Sequence, residues 1–149
     1  MGKVILLRGV SGSGKSTWTK TNHPNAVVCS ADDFFIDRKT GEYKWDGNKL
    51  PVAHRVCQNK FARALKNGAE TIVVDNTFTK IRDMEWYYET AKTAGYEIEV
   101  VEMRKPLELV LGRNTHNVPD FAVERMDQQI KQNPVPSSWG VKVTKVTKD

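Results

Sequence analysis

Apolar and polar positions fall along this chain in two kinds of block. Short, nearly uninterrupted apolar runs, Val4-Ile5-Leu6-Leu7, Ala26-Val27-Val28-Cys29 and Thr71-Ile72-Val73-Val74-Asp75, have the length and β-branched content of buried strands. Residues 97–103 alternate like a fourth. Between them the period changes. Leu50, Ala53, Cys57, Phe61 and Ala64 recur at steps of three and four and predict one face of a helix, with Pro51 in its first turn and Asn67-Gly68 closing it. Ile81, Met84, Tyr88 and Ala91 predict another, with Thr79 as N-cap and Gly95 as stop. Shorter helical patterns cover residues 16–21, 106–113 and 119–132, and residues 30–49 read as irregular, with a turn at Thr40-Gly41-Glu42. Strand and helix in alternation predict βα units, hence a three-layer α/β/α fold around a parallel sheet of four or five strands.

The loop after the first strand reads Gly9-Val10-Ser11-Gly12-Ser13-Gly14-Lys15-Ser16. A glycine, four residues, then Gly-Lys-Ser between a strand and a helix is the P-loop pattern. Its glycines let the backbone wrap a polyphosphate, and its N–H groups and the following helix N-terminus face the anion. Gly9, Gly12, Ser13, Gly14, Lys15, Ser16 and Thr17 are therefore the candidate nucleotide-binding set. Lys15 reaches the β- and γ-phosphates, and the Ser16 hydroxyl ligates Mg²⁺. The alternative, a Gly/Ser connector, has no need of Lys-Ser directly after the last glycine.

In a parallel sheet, ligands sit beyond the carboxyl ends of the strands. Asp32 and Asp33 follow the second strand, Asp75, Asn76 and Thr77 the third, and Arg104 and Lys105 the fourth. A phosphoryl acceptor needs a carboxylate to orient its hydroxyl and take the proton, and Asp32 is the candidate base; a turn carboxylate is the other meaning. Asp75 ends an apolar run in the manner of a Walker B acid, a common pattern, and is a candidate for holding Mg²⁺ through water or for orienting the acceptor. Asn76 and Thr77 are candidate acceptor contacts or helix-entry caps. Arg113 lies before a polar break and reads either as a lid arginine on the transferring phosphoryl group or as a cation at a helix C-terminus.

Composition narrows this further. The 149 residues suit one domain, and the net charge of +5 is spread along the chain, compatible with a nucleic-acid partner without demanding one. No apolar run approaches membrane-spanning length, and the first one is too short for a signal peptide, so a cytoplasmic location is expected. Cys29 and Cys57 read as small core residues of a reducing compartment. His23, His54 and His116 show no ligand or triad spacing, and of Trp86, Tyr87 and Tyr88 at least one ring should be left outside the core. Residues 1–133 are read as the folded domain. Residues 134–149, with Lys142, Lys145 and Lys148, form a basic tail that is an edge strand or loose.

Four pieces in order carry a family resemblance: Gly-Ser-Gly-Lys-Ser-Thr at 12–17, Ser-Ala-Asp-Asp-Phe-Phe at 30–35, Val-Asp-Asn-Thr at 74–77, and Arg-Asn at 113–114 with Val-Pro at 118–119. Over residues 3–133 the chain resembles the P-loop polynucleotide 5′-kinases of the bacteriophage type. It is similar too to the kinase-like domains attached to some ligase-binding and cyclic-phosphodiesterase proteins. The resemblance implies ATP and Mg²⁺ on Lys15 and Ser16, Asp32 activating a 5′-hydroxyl of single-stranded DNA or RNA, Arg113 as lid arginine, and Thr77 positioning the acceptor. With no second domain in these 149 residues, the phosphatase of some relatives is expected to be absent. The kinase-active members carry an arginine three residues after the base; Phe35 stands there, with Arg38 nearby but out of register. Asp33 and Arg38 are candidate substrate contacts, and the basic residues Arg38, Lys39 and Lys44 would suit a phosphate-bearing acceptor, a solvated charged loop being the commoner meaning. A small-metabolite kinase, or a catalytically weak ATP-binding module, is the alternative reading.

Overall fold

The computed structural model describes residues 2–111 and 118–148. Its core is a five-stranded, wholly parallel sheet of β1 (Lys3–Arg8), β2 (Val27–Cys29), β3 (Thr71–Asn76), β4 (Glu97–Met103) and β5 (Lys142–Val146), in the order β2-β3-β1-β4-β5. The helices are α1 (Lys15–Asn22), α2 (Leu50–Lys66), α3 (Ile81–Thr93), α4 (Leu107–Leu111) and α5 (Asp120–Gln132).

The pleat decides which helix covers which face, because successive strand residues point to opposite sides. Val4, Leu6, Ile72, Val74 and Val100 meet Ala53, Cys57, Phe61 and Ala64 of α2 and Met84, Tyr87, Tyr88 and Ala91 of α3. Ile5, Leu7, Val73, Val101 and Met103 point the other way, toward Trp18 of α1. A third cluster joins Val10 to Val110 of α4 and to Val123 and Ile130 of α5. Both faces of a parallel sheet are thus covered, which is why its strands read as continuous apolar runs.

Several local features follow their sequence signals. Asn67 ends α2 and Gly68 follows in the left-handed region at φ 71°. The start of α3 is a correction: its N-cap is Lys80, with no side-chain cap bond, and Thr79 lies one residue too early to serve. Segment 30–49 is not shapeless. It holds 3-10 turns at Ala31–Phe35 and Gly47–Lys49, and an antiparallel bridge joins Ile36 to Tyr43. Of the three neighbouring rings on α3, Tyr87 and Tyr88 are buried, while Trp86 is partly exposed and packs against Phe61 and Tyr87. Beyond α5, Trp139 stacks flat on Tyr88 at 4.2 Å, and β5 pairs in parallel with β4.

Candidate active site

Because β1 lies at the centre of the sheet, the loop that follows it is flanked by the ends of β3 and β4. The register sets Arg8 beside Asn76 on one side and beside Glu102 on the other. The loop backbone is fixed at both ends. The Gly9 N–H donates to the Thr77 carbonyl at 3.3 Å, and the Trp18 N–H donates to the Gly14 carbonyl at 2.9 Å as α1 begins. Gly14 sits at φ 92°, a left-handed backbone conformation that favours glycine. A Cβ on Gly9 would meet Ser13 Oγ at 2.7 Å. The Ser13 hydroxyl is itself buried and makes no hydrogen bond among the described residues.

Lys15 Nζ donates to the carbonyls of Gly9 and Val10, at 3.0 and 3.1 Å. Burial pulls its pKa below the ordinary lysine value, and the nearby Asp75 and Asp32 carboxylates oppose that shift. The acid ending β3 and the acid following β2 thus both lie within electrostatic reach of the P-loop lysine. Ser16 and Thr17 are exposed at the first turn of α1.

The two adjacent acids part company. Asp32 accepts a hydrogen bond from the Tyr43 hydroxyl at 3.2 Å, across the bridge that closes the 36–43 loop. Asp33 lines a cleft on the α2 side together with Arg38 and Lys60. Its carboxyl is raised above the usual range by burial, with Lys60 pulling it down and Asp32 adding to the rise.

Asn76 points away from Asp75, as the pleat requires. Its Oδ1 accepts from the Ala31 N–H at 3.0 Å, and its amide nitrogen faces Cys57 Sγ at 3.7 Å. It is 9% exposed, so its side chain holds the Asp32 turn to β3 from inside the core. Thr77 contributes its carbonyl to Gly9, as described above. Phe35 is buried among Phe34, Tyr43 and Trp45, and it anchors the loop on its aromatic edge. Arg113 lies outside the described residues.

A further network joins charged residues at the ends of β1 and β4. Arg8, 0% exposed, donates to Glu102 Oε2 at 2.9 Å, to the Asn133 carbonyl at 2.8 Å and to the Phe78 carbonyl at 2.9 Å. Arg104 bonds the other Glu102 oxygen at 3.0 Å. Phe78 is the one non-glycine at positive φ, 50°, among the described residues, and its carbonyl is held by Arg8. Opposite charges at paired positions on neighbouring strands, inside otherwise apolar runs, were the available signal.

Among the described residues, no cluster of three His, Cys, Asp or Glu side chains is arranged to hold a metal unaided. Mg²⁺ needs none, because it takes one or two protein oxygens and completes its shell with phosphates and water. The exposed Ser16 hydroxyl and the Asp75 carboxylate beside Lys15 fit that demand.

A parallel sheet with this P-loop, and acids from two neighbouring strand ends beside its lysine, defines a P-loop nucleotide-binding protein of kinase type. The pattern of a family described as an AAA domain matches residues 4–132, and the chain belongs to this P-loop kinase-like family. It is 33% identical over 131 residues to human NEDD4-binding protein 2, covering 83% of this chain and 7% of that protein. Among solved structures, it resembles a chain of the Pnkp1/Rnl/Hen1 RNA repair complex with TM-score 0.70 and 21% identity, covering 91% of this chain and 48% of the other. It resembles a sugar kinase from Janibacter sp. HTCC2649 with TM-score 0.59 and 16% identity, covering 99% and 86%. At those identities the two structures speak for the fold alone. Among the described residues, no helix is long and apolar enough to cross a membrane.

Proposed function

We propose that this chain transfers the γ-phosphoryl group of ATP to the 5′-hydroxyl of a single-stranded polynucleotide. What supports the reading is the sheet order, which sets the P-loop after β1 next to the β3 end that carries Asp75, with the Asp32 turn tied to β3 through Asn76. A candidate base and a candidate metal carboxylate thus lie within electrostatic reach of Lys15. The nucleic-acid acceptor is argued from the resemblance of the 12–17, 30–35 and 74–77 segments to the polynucleotide 5′-kinases.

In this reading the P-loop N–H groups and Lys15 hold the β- and γ-phosphates in place. Asp32, braced by Tyr43, orients the acceptor hydroxyl and takes its proton as the new O–P bond forms. The bond from the γ-phosphorus to the β,γ-bridging oxygen breaks in line with it, and ADP leaves. Lys15 offsets the charge that gathers on the bridging oxygen. Ser16 and Asp75 would hold Mg²⁺, which neutralises charge on the β- and γ-oxygens when bound. Arg113 is proposed to supply a further positive charge to the phosphoryl group, on the strength of its place in the sequence.

The buried ring of Phe35 favours a second reading. With no arginine at that position, a small hydroxyl metabolite is the acceptor. One assay separates the two: transfer from labelled ATP and Mg²⁺ to single-stranded 5′-hydroxyl DNA and RNA, with Lys15→Ala as control. Transfer that disappears in the control is expected. ATP binding with no oligonucleotide transfer would overturn the first reading in favour of the second.

A further inference from the structure

On the α2 side of the Ala31–Phe35 turn lies a cleft of about 650 Å³. One wall is the turn and the strand after it, with Asp33, Phe34, Ile36 and Arg38. The other is α2, with Val56, Asn59, Lys60 and Arg63. Those four α2 positions fall at i, i+3, i+4 and i+7, a single stripe beside the buried stripe of Ala53, Cys57, Phe61 and Ala64. Core packing accounts for the buried stripe and not for its neighbour.

The cleft combines three cations with one carboxylate, and it adds apolar surface. Phe34, Ile36 and Val56 are 37%, 41% and 47% exposed. The Phe34 ring is not loose: it stands edge-on to the buried Phe35 ring at 5.3 Å and 88°. Lys60 is likewise held, donating one proton to the Val28 carbonyl at 2.6 Å and leaving two for a ligand. A fixed exposed ring with cations around it suits a nucleic-acid strand, whose bases stack and whose phosphates pair. The cleft is also in the right place, because its Asp33 is the chain neighbour of Asp32.

We propose that this cleft binds the nucleotides that follow the reacting 5′ end of a single-stranded polynucleotide. Phe34 stacks on a base, and Lys60, Arg63 and Arg38 take phosphates. The inference rests on the polynucleotide reading above. It gives the acceptor its phosphate contacts from α2, where the buried Phe35 supplies none.

The test is fluorescence anisotropy with a labelled 5′-hydroxyl 12-nucleotide strand across a salt series, without ATP. The proteins are wild type, Lys60→Gln/Arg63→Gln, Phe34→Ala, and Lys142→Gln/Lys145→Gln as a charge control on β5. Melting curves and ATP affinity check that each variant is folded. The α2 double variant should bind at least tenfold more weakly, with a salt slope shallower by about 1.4 for two lost phosphate contacts. Phe34→Ala should lose about 5- to 150-fold in affinity with its slope unchanged. The β5 control should bind as wild type does. Kinetically, KM for the oligonucleotide should rise in the cleft variants, while transfer to the 5′-hydroxyl of a nucleoside without phosphates, which carries none of the groups the cleft takes, stays at the wild-type rate. Cleft variants that bind the strand like wild type, or a wild type that binds no strand, would overturn the proposal; in either case transfer to the nucleoside still tests the kinase reading. Strand binding lost in the cleft variants, with no transfer to any acceptor, would support the cleft and overturn the kinase reading.

Discussion

The side-chain oxygen of Asn76 accepts the backbone N–H of Ala31 at 3.0 Å, joining the end of β3 to the turn that carries Asp32. The bond is buried, so removing the acceptor leaves a donor with neither partner nor water. Asn76→Ala should cost about 1–3 kcal/mol of stability by urea denaturation. In the proposed reaction it should also lower kcat with ATP affinity retained, because the base is displaced and the P-loop is not. A variant with wild-type stability would show that the turn is held by other contacts.

Asp32→Asn keeps the size of the side chain and removes the base. The expected loss in phosphoryl transfer is about 10²–10⁴-fold, with ATP binding unchanged. Turnover near the wild-type rate would remove Asp32 from the mechanism.

Glu102 neutralises Arg8 inside the protein and Arg104 at its edge. Glu102→Ala leaves a buried guanidinium without its counter-charge, which costs about 3–5 kcal/mol. Burial already pulls the Arg8 pKa down, and the Glu102 carboxylate is the chief force holding it up. The same substitution should loosen the Phe78 carbonyl and, through Thr77, the start of the P-loop. The check is paired, with a thermal melt for stability and ATP titration for the loop. Replacing both Arg8 and Glu102 with apolar residues should cost less than Glu102→Ala alone.

Burial pushes the Cys29 thiol up to about 12, with Cys57 adding to the shift, and Cys57 is raised as well. The folded state therefore holds these protons more tightly than the unfolded chain, whose thiols titrate near the ordinary value of 9.0. The resulting stabilisation is complete below pH 9 and disappears as pH rises toward 12. Denaturation midpoints should fall across that window. A thiol reagent at pH 8 should modify native protein only as fast as the chain opens. Rapid modification of either cysteine in folded protein would contradict the burial.

The sheet was legible because its evidence is local. A run such as Val4-Ile5-Leu6-Leu7 can hide from water only between two layers, and α2 shows its buried face in the steps from Ala53 to Ala64. The phosphate loop was legible for a related reason: glycine spacing and Lys-Ser are demands of backbone geometry within eight residues. The start of α3 was misplaced by one residue, since Thr79 has the right chemistry for a cap and the chain turned at Lys80 instead.

The partners of the site were another matter. Arg8 reads as the polar end of a strand, and only pairing with β4 set it against a glutamate 94 residues away. Asn76 and Asp75 read alike as polar residues after an apolar run. The pleat sends them to opposite faces, and the packing of α2 made one a buried brace while leaving the other beside Lys15. Val56, Lys60 and Arg63 gave no signal, because a polar helical stripe gains meaning only from what stands opposite. The sequence by itself therefore determined the elements, the parallel sheet and the phosphate loop, all of which rest on short-range periodicity and backbone sterics. Only the tertiary structure decided which charges are buried together, which acid meets the lysine and where the second cleft opens, because those depend on contacts between residues far apart in the chain.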